Sequence, residues 1–165
     1  MRTDLMRDAA PMLAGVLLML AAVAGPAGAG NPTPYPGTRI IETGHSYGDL
    51  VTRLDAAVKA SKMGLVTRAS ATVGAKARLN KVIPGNMVVG VFRPDFAVRM
   101  LEASVPAGIE APLRFYITEN ADGSATLTYR APSAVFAPYE VPALDAMAQE
   151  LDAIFEAIAK DATGG

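Results

Sequence analysis

Residues 113–130 read LRFYITENADGSATLTYR. Apolar and polar residues alternate over Leu113–Thr118 and again over Ala125–Arg130. Period-two alternation marks a strand with one buried face. Asn120-Ala121-Asp122-Gly123 lies between the runs and carries turn chemistry, with a glycine free to take positive φ. The stretch predicts an antiparallel hairpin. It also assigns faces: Arg114 and Tyr116 share one side of the first strand, and Thr128 and Arg130 the matching side of the second.

Beyond the hairpin, Pro132 ends the second strand and a helix is expected from near Pro142 to Lys160. Leu144, Met147, Leu151, Ile154, Phe155 and Ile158 fall on one stripe of it, with the acids elsewhere, so it can cover a sheet face. On the N-terminal side, Met87–Phe92 (MVVGVF) is a continuous apolar run and reads as a strand covered on both faces. Pro94 opens a helix through Ala103. Leu65–Val73 alternates and predicts a strand, Ala75–Asn80 a helical turn, and Pro84-Gly85-Asn86 a turn. Arg39–Thr43 predicts a short strand ended by Gly44. Ser46 stands three residues before Asp49, a capping-box spacing, and Leu50, Leu54, Ala57 and Val58 follow at helical spacing. Gly64 suits the C′ position of that helix. Strands and helices alternate only in part, so the expected class is a two-layer α+β sandwich, with helices on one face of a mixed or antiparallel sheet.

The first 29 residues follow a different grammar. Arg2 and Arg7 precede an uncharged stretch from Ala9, densest over Met12–Ala24, and Ala27-Gly28-Ala29 offers small residues before Gly30. This is the pattern of a cleavable secretory signal; Ala22-Val23-Ala24 is a second cleavage site, and an uncleaved anchor is the alternative. Thirteen strongly apolar residues fall short of the ~20 that span a bilayer. The expected divisions are a signal peptide at 1–29, a Pro-rich tether at 30–38, one domain at 39–160 and a flexible tail at 161–165. The expected location is the periplasm or the exterior.

Composition narrows the chemistry. The 165 residues include no Cys and one His, His45. Disulfides, thiolate metal sites and Cys nucleophiles are excluded, as is a multi-His metal centre. A formal charge of −1 and a pI near 5.8 give no electrostatic case for nucleic acid or anionic membrane. Residues 1–29 hold 19 of the apolar residues; without them the apolar share falls from 51% to 48%, ordinary for a globular domain. No G-x-S-x-G, H-E-x-x-H, P-loop or dinucleotide fingerprint occurs. No cofactor and no metal are expected.

Several segments in order resemble the family catalogued as domain of unknown function 302. Gly44-His45-Ser46-Tyr47 resembles its S-x-H-S-[FY] opening, and Met63-Gly64-Leu65 its helix-to-strand junction. Val89-Gly90-Val91-Phe92-Arg93-Pro94 is similar to its strand ending in N-P, Ala111-Pro112-Leu113 to its L-P turn, and Leu127–Pro132 to its Y-x-x-P segment. The likeness spans about residues 40–160. A family His after the second strand has no counterpart, since Arg68-Ala69-Ser70 stands there. Arg93 replaces a usual Asn cap and Ala131 a frequent acid. The resemblance implies the strand–helix–four strands–helix plan of the TATA-binding-protein-like class, here with an extra short helix. It also implies a homodimer, and no established activity.

Two places offer ligand chemistry. His45, beside a helix N-terminus, is an acid/base or ligand group, or else a residue that bonds locally. Arg114, Tyr116 and Arg130, joined by Arg68 if it shares their face, form a guanidinium cluster on the open side of the sheet, able to bind a carboxylate, phosphate or sulfur oxyanion. The same face can instead be solvated, or form half of a dimer interface with Arg pairs to Glu119 or Asp122. The expected ligand-binding set is therefore His45, Tyr47, Arg68, Arg114, Tyr116 and Arg130. The expected function is a dimeric module binding a small anion or a periplasmic protein, with no nucleic acid and no membrane after signal cleavage. One alternative is a hydrolase or isomerase using His45 with Tyr47, Arg114 or Tyr129. The other is a structural envelope interaction protein.

Overall fold

A computed structural model of the chain describes residues 35–164. The expected signal peptide and the first part of the expected tether lie outside the described residues.

The elements run β1 (Thr38–Ser46), α1 (Tyr47–Ala60), β2 (Gly64–Ala69), α2 (Ala71–Leu79), β3 (Asn86–Phe92), α3 (Pro94–Ala103), β4 (Leu113–Glu119), β5 (Ser124–Arg130), α4 (Pro132–Phe136) and α5 (Pro142–Thr163). The five strands form one open sheet in the order β1-β5-β4-β3-β2, every neighbouring pair antiparallel. The fold is thus α+β as expected, with the mixed-sheet option removed.

The hairpin holds the centre of the sheet. Asn120 N–H donates to the Ser124 carbonyl and Gly123, at φ 83°, closes the loop. Asp122 accepts from the Ser124 amide and hydroxyl, so an Asx-type turn supports it. Phe115 and Ile117 of β4 and Leu127 and Tyr129 of β5 point to one side, where α5 and α1 cover them. Phe115 stacks on Phe155 of α5 with ring centroids 4.6 Å apart, and Tyr129 tilts against both rings. The apolar stripe of α5 thus meets the apolar alternation of the hairpin.

Local chemistry explains the departures from expectation. β1 passes Gly44 and reaches Ser46 through a register irregularity after Thr43. Ser46 then caps α1, its hydroxyl oxygen accepting the Asp49 amide N–H and its hydroxyl donating to the Asp49 carboxylate. The left-handed residue after α1 is Lys62, at φ 57°, and Gly64 instead begins β2. The strand expected to reach Val73 stops at Ala69, because Ser70 accepts the Val73 N–H and starts a helix. On β3, Gly90 is covered on the far side by Thr67 and Pro112, which an added Cβ would strike at 2.2 and 2.8 Å. Val88 on that side is half-buried, so the strand is covered on both faces only in part.

The expected tail from residue 161 is also corrected. α5 continues to Thr163, with Ala162 fully buried. Arg53 of α1 donates through Nε to the Ala162 carbonyl at 2.7 Å and through Nη2 to that of Asp161. A cation at a helix C-terminus satisfies free carbonyls and complements the dipole. At the other boundary, Thr38 N–H binds the Tyr35 carbonyl and Ala131 N–H the Gly37 carbonyl, so the domain begins inside the expected tether.

Candidate functional site

The sheet face opposite the helices is built in rows by strand register. Gly90 of β3 aligns with Arg114 of β4, and Arg130 of β5 with Thr38 of β1. The next row is Val88, Tyr116, Thr128 and Ile40. Beyond it lie Asn86, Thr118, Thr126 and Glu42. A basic row therefore borders a partly apolar row, with one acid at the far corner.

A groove of about 340 Å³ lies on this face, floored by Val88, Thr128 and Thr38 and edged by Arg114, Tyr116, Arg130 and Tyr35. Arg114 is exposed and enters no salt bridge among the described residues. Its expected acidic mates are engaged elsewhere: Glu119 accepts the Gly85 N–H and Asp122 binds Ser124. The Ser124 hydrogen bonds hold the Asp122 carboxyl below the usual carboxylate range. Arg130 donates through Nη2 to the Ala134 carbonyl at 3.0 Å and lies 5.6 Å from the Tyr35 ring. Its Nε is buried with no hydrogen-bond partner among the described residues, and so is the Thr38 hydroxyl beside it. Both hydrogen-bonding groups lie at the basic end of the groove, where Thr38 and Arg130 pair in register.

The remaining expected residues lie elsewhere. Arg68 does not share the open face. It pairs in register with Val89, points to the helix side and makes an ion pair with Asp55 of α1. The irregularity between Leu65 and Thr67 reverses the simple alternation and turns it inward. His45 is also on the helix side, where its Nε2 lies 3.2 Å from the Thr163 carbonyl and donates to it. Its partner is the end of α5, beside the Arg53 cap. Tyr47, the first residue of α1, packs its ring against Gly85, where an added Cβ would come within 2.8 Å. Burial pushes its phenol pKa up, with the Ser70 side chain pulling the other way. Tyr129 is buried between Phe115 and Phe155, and burial raises its pKa too. The sheet therefore separates His45 and Tyr129 from Arg114. The acid/base set required for catalysis by His45 with Arg114 is not assembled.

Thr38, Val88 and Tyr35 complete the groove and were not singled out by sequence. Thr38 needed the β1–β5 register, and Tyr35 sits in a Pro-rich stretch that reads as linker. Among the described residues no cluster of three or more His, Asp or Glu side chains is placed to hold a metal. Among them no helix is long and apolar enough to cross a membrane.

The crystal structure of an uncharacterized conserved protein from Bacillus stearothermophilus, itself a DUF302 protein, is similar to this chain with a TM-score of 0.68 at 15% identity. The similarity covers 77% of this chain and 99% of that one, and it concerns the fold. No curated protein matches the chain. The family model described as "Domain of unknown function DUF302" matches residues 40–161, from the second residue of the first expected strand almost to the end of α5. The chain belongs to the DUF302 family.

Proposed function

We propose that this chain is an exported binding domain whose open sheet face takes a small organic anion. The observation that supports the reading is the Arg114–Arg130 groove: an exposed guanidinium without an acidic partner among the described residues, beside a buried Nε and a buried hydroxyl that lack partners. Guanidinium N–H groups favour carboxylate and phosphate oxygens, and charge-assisted bonds are roughly twice as strong as neutral ones. Val88 and the ring of Tyr116 offer apolar lining to the rest of such a ligand. The Arg2/Arg7, apolar, Ala-Gly-Ala order of the N-terminus supports export.

Benzoate and inorganic phosphate, titrated separately against labelled protein, test the site. Amide shifts at 114–116 and 128–130 that vanish in Arg114→Ala are expected for at least one of them. Unperturbed spectra with both anions would remove the site. N-terminal sequencing of the protein recovered outside the cytoplasm tests export, with Gly30 as the expected first residue.

A second reading has a second copy of the chain covering the same face. It rests on Ile40 and Tyr116, 43% and 39% exposed in one row of that face. A two-fold axis running across the strands would bring the Glu42 end of one copy over the Arg130 end of the other. Light scattering that finds only monomer at micromolar concentration would eliminate it.

A further inference from the structure

The chain-wide charge of −1 conceals a strong segregation. Residues 56–94 contain seven Lys and Arg and no Asp or Glu. The rest of the described chain holds six basic and fourteen acidic residues. Two of the seven cations are neutralised from outside the segment, Arg68 by Asp55 and Arg93 by Asp95. Lys76, Arg78 and Lys81, on α2 and the turn after it, enter no salt bridge among the described residues. The nearby Glu119 is occupied by the Gly85 amide.

α2 is unusual in a second, independent way: none of its nine residues is buried. Helices of this length are marginal in water without tertiary packing. This one is held at its ends. Asn86 Oδ1 accepts the Ala71 N–H at 2.9 Å, the Thr72 hydroxyl donates to the Pro84 carbonyl at 2.9 Å, and left-handed Asn80 closes the C-terminus. The clamp presents Val73, Leu79 and Val82 to solvent at 67%, 73% and 79% exposure, interleaved with the three cations.

We propose that α2 and the turn after it dock the domain onto an anionic lipid surface. The pattern selects a bilayer over a folded partner. A partner helix or strand requires an apolar stripe or a groove. Here Val73 and Leu79 lie six residues apart, about 120° around the helix, with Lys76 between them. A lipid interface needs no such order, because headgroups rearrange around cations while short apolar side chains enter the acyl boundary. The long Lys and Arg stems reach the phosphates from positions beside those apolar groups. Docking through α2 leaves the Arg114 groove a separate site, so either proposal can fail alone.

The test is sedimentation of residues 30–165, which hold every described element, with phosphatidylcholine vesicles made with and without phosphatidylglycerol. Binding is expected to the phosphatidylglycerol vesicles alone and is expected to fall as salt screens it. Each cation near an anionic surface is worth about fivefold in partitioning. Lys76→Gln, Arg78→Gln and Lys81→Gln combined are therefore expected to weaken binding roughly a hundredfold. All three side chains are exposed, and an unchanged melting temperature checks the fold. Val73→Ser with Leu79→Ser is expected to lose the binding that survives high salt. Failure of the folded protein to sediment with phosphatidylglycerol vesicles would overturn the proposal. Undiminished binding by the triple variant would do so as well. Association with soluble polyglutamate but not with vesicles would overturn it in favour of an acidic polypeptide partner, and sedimentation without vesicles in favour of self-association.

Discussion

The two faces of the sheet come from the same alternating strands and have opposite fates. Toward the helices, β4 and β5 present Phe115, Ile117, Leu127 and Tyr129, all buried, with Phe115 stacked on Phe155 and Tyr129 tilted against it. Away from the helices they present Arg114 and Tyr116, which are exposed, and Thr128 and Arg130, which are half-buried. One residue of displacement along the strand separates the two environments. The helix face therefore concentrates the stability, and the open face is free to vary without unfolding the domain.

Removing the Phe155 ring from the closed face is the sharpest way to break that division. Phe155→Ala is expected to cost about 3–5 kcal/mol in urea unfolding, from lost transfer energy plus the cavity left behind. Tyr116→Ala, on the open face, is expected to cost less than about 1 kcal/mol. Comparable losses at the two sites would refute the contrast. A step smaller is the cap of α5. Arg53→Ala leaves two helix-terminal carbonyls without their partner and is expected to cost about 1–2 kcal/mol. Hydrogen exchange should rise first in the last turn of α5 and leave β4 protected; uniform loss of protection would mean that the cap supports the whole sheet. The smallest expected effect is on the surface. Arg99 binds Glu150 through two hydrogen bonds of 2.7 and 2.8 Å, tying α3 to α5. The guanidinium holds the Glu150 carboxyl below the usual range. Its contribution is thus present above the ordinary Glu value, about pH 4.3, and is lost as pH falls through the lower folded value. The melting temperatures of wild type and Glu150→Gln should differ slightly at neutral pH and converge in acid. A gap that persists in acid would assign the effect to packing.

The sequence made the hairpin and α5 legible because each carries a strong period, two for the strands and a 3.6-residue stripe for the helix. Faces within one strand were legible too, which is why Arg114, Tyr116 and Arg130 were found together. Relations between strands outside the hairpin were not. Arg68 belongs to a strand whose register irregularity turns it toward Asp55, and alternation counted along the chain has no term for that. His45 looked reactive because its neighbourhood in sequence is a helix start, whereas its partner in space is a carbonyl 118 residues away. Ser70 was a stronger signal than the alternation running through it, since one cap satisfies an amide that a strand would leave for a neighbour.

The contact between Phe155 and the hairpin has a consequence in time. α1 alone leaves part of the inner face open, and the sheet cannot finish burying it until α5, the last of the described elements, arrives. A chain emerging N-terminus first holds β1 to β5 with the inner face still open on the α5 side until α5 has been made. Folding of the domain should therefore wait on α5, and loss of that helix should leave a sticky, protease-sensitive intermediate.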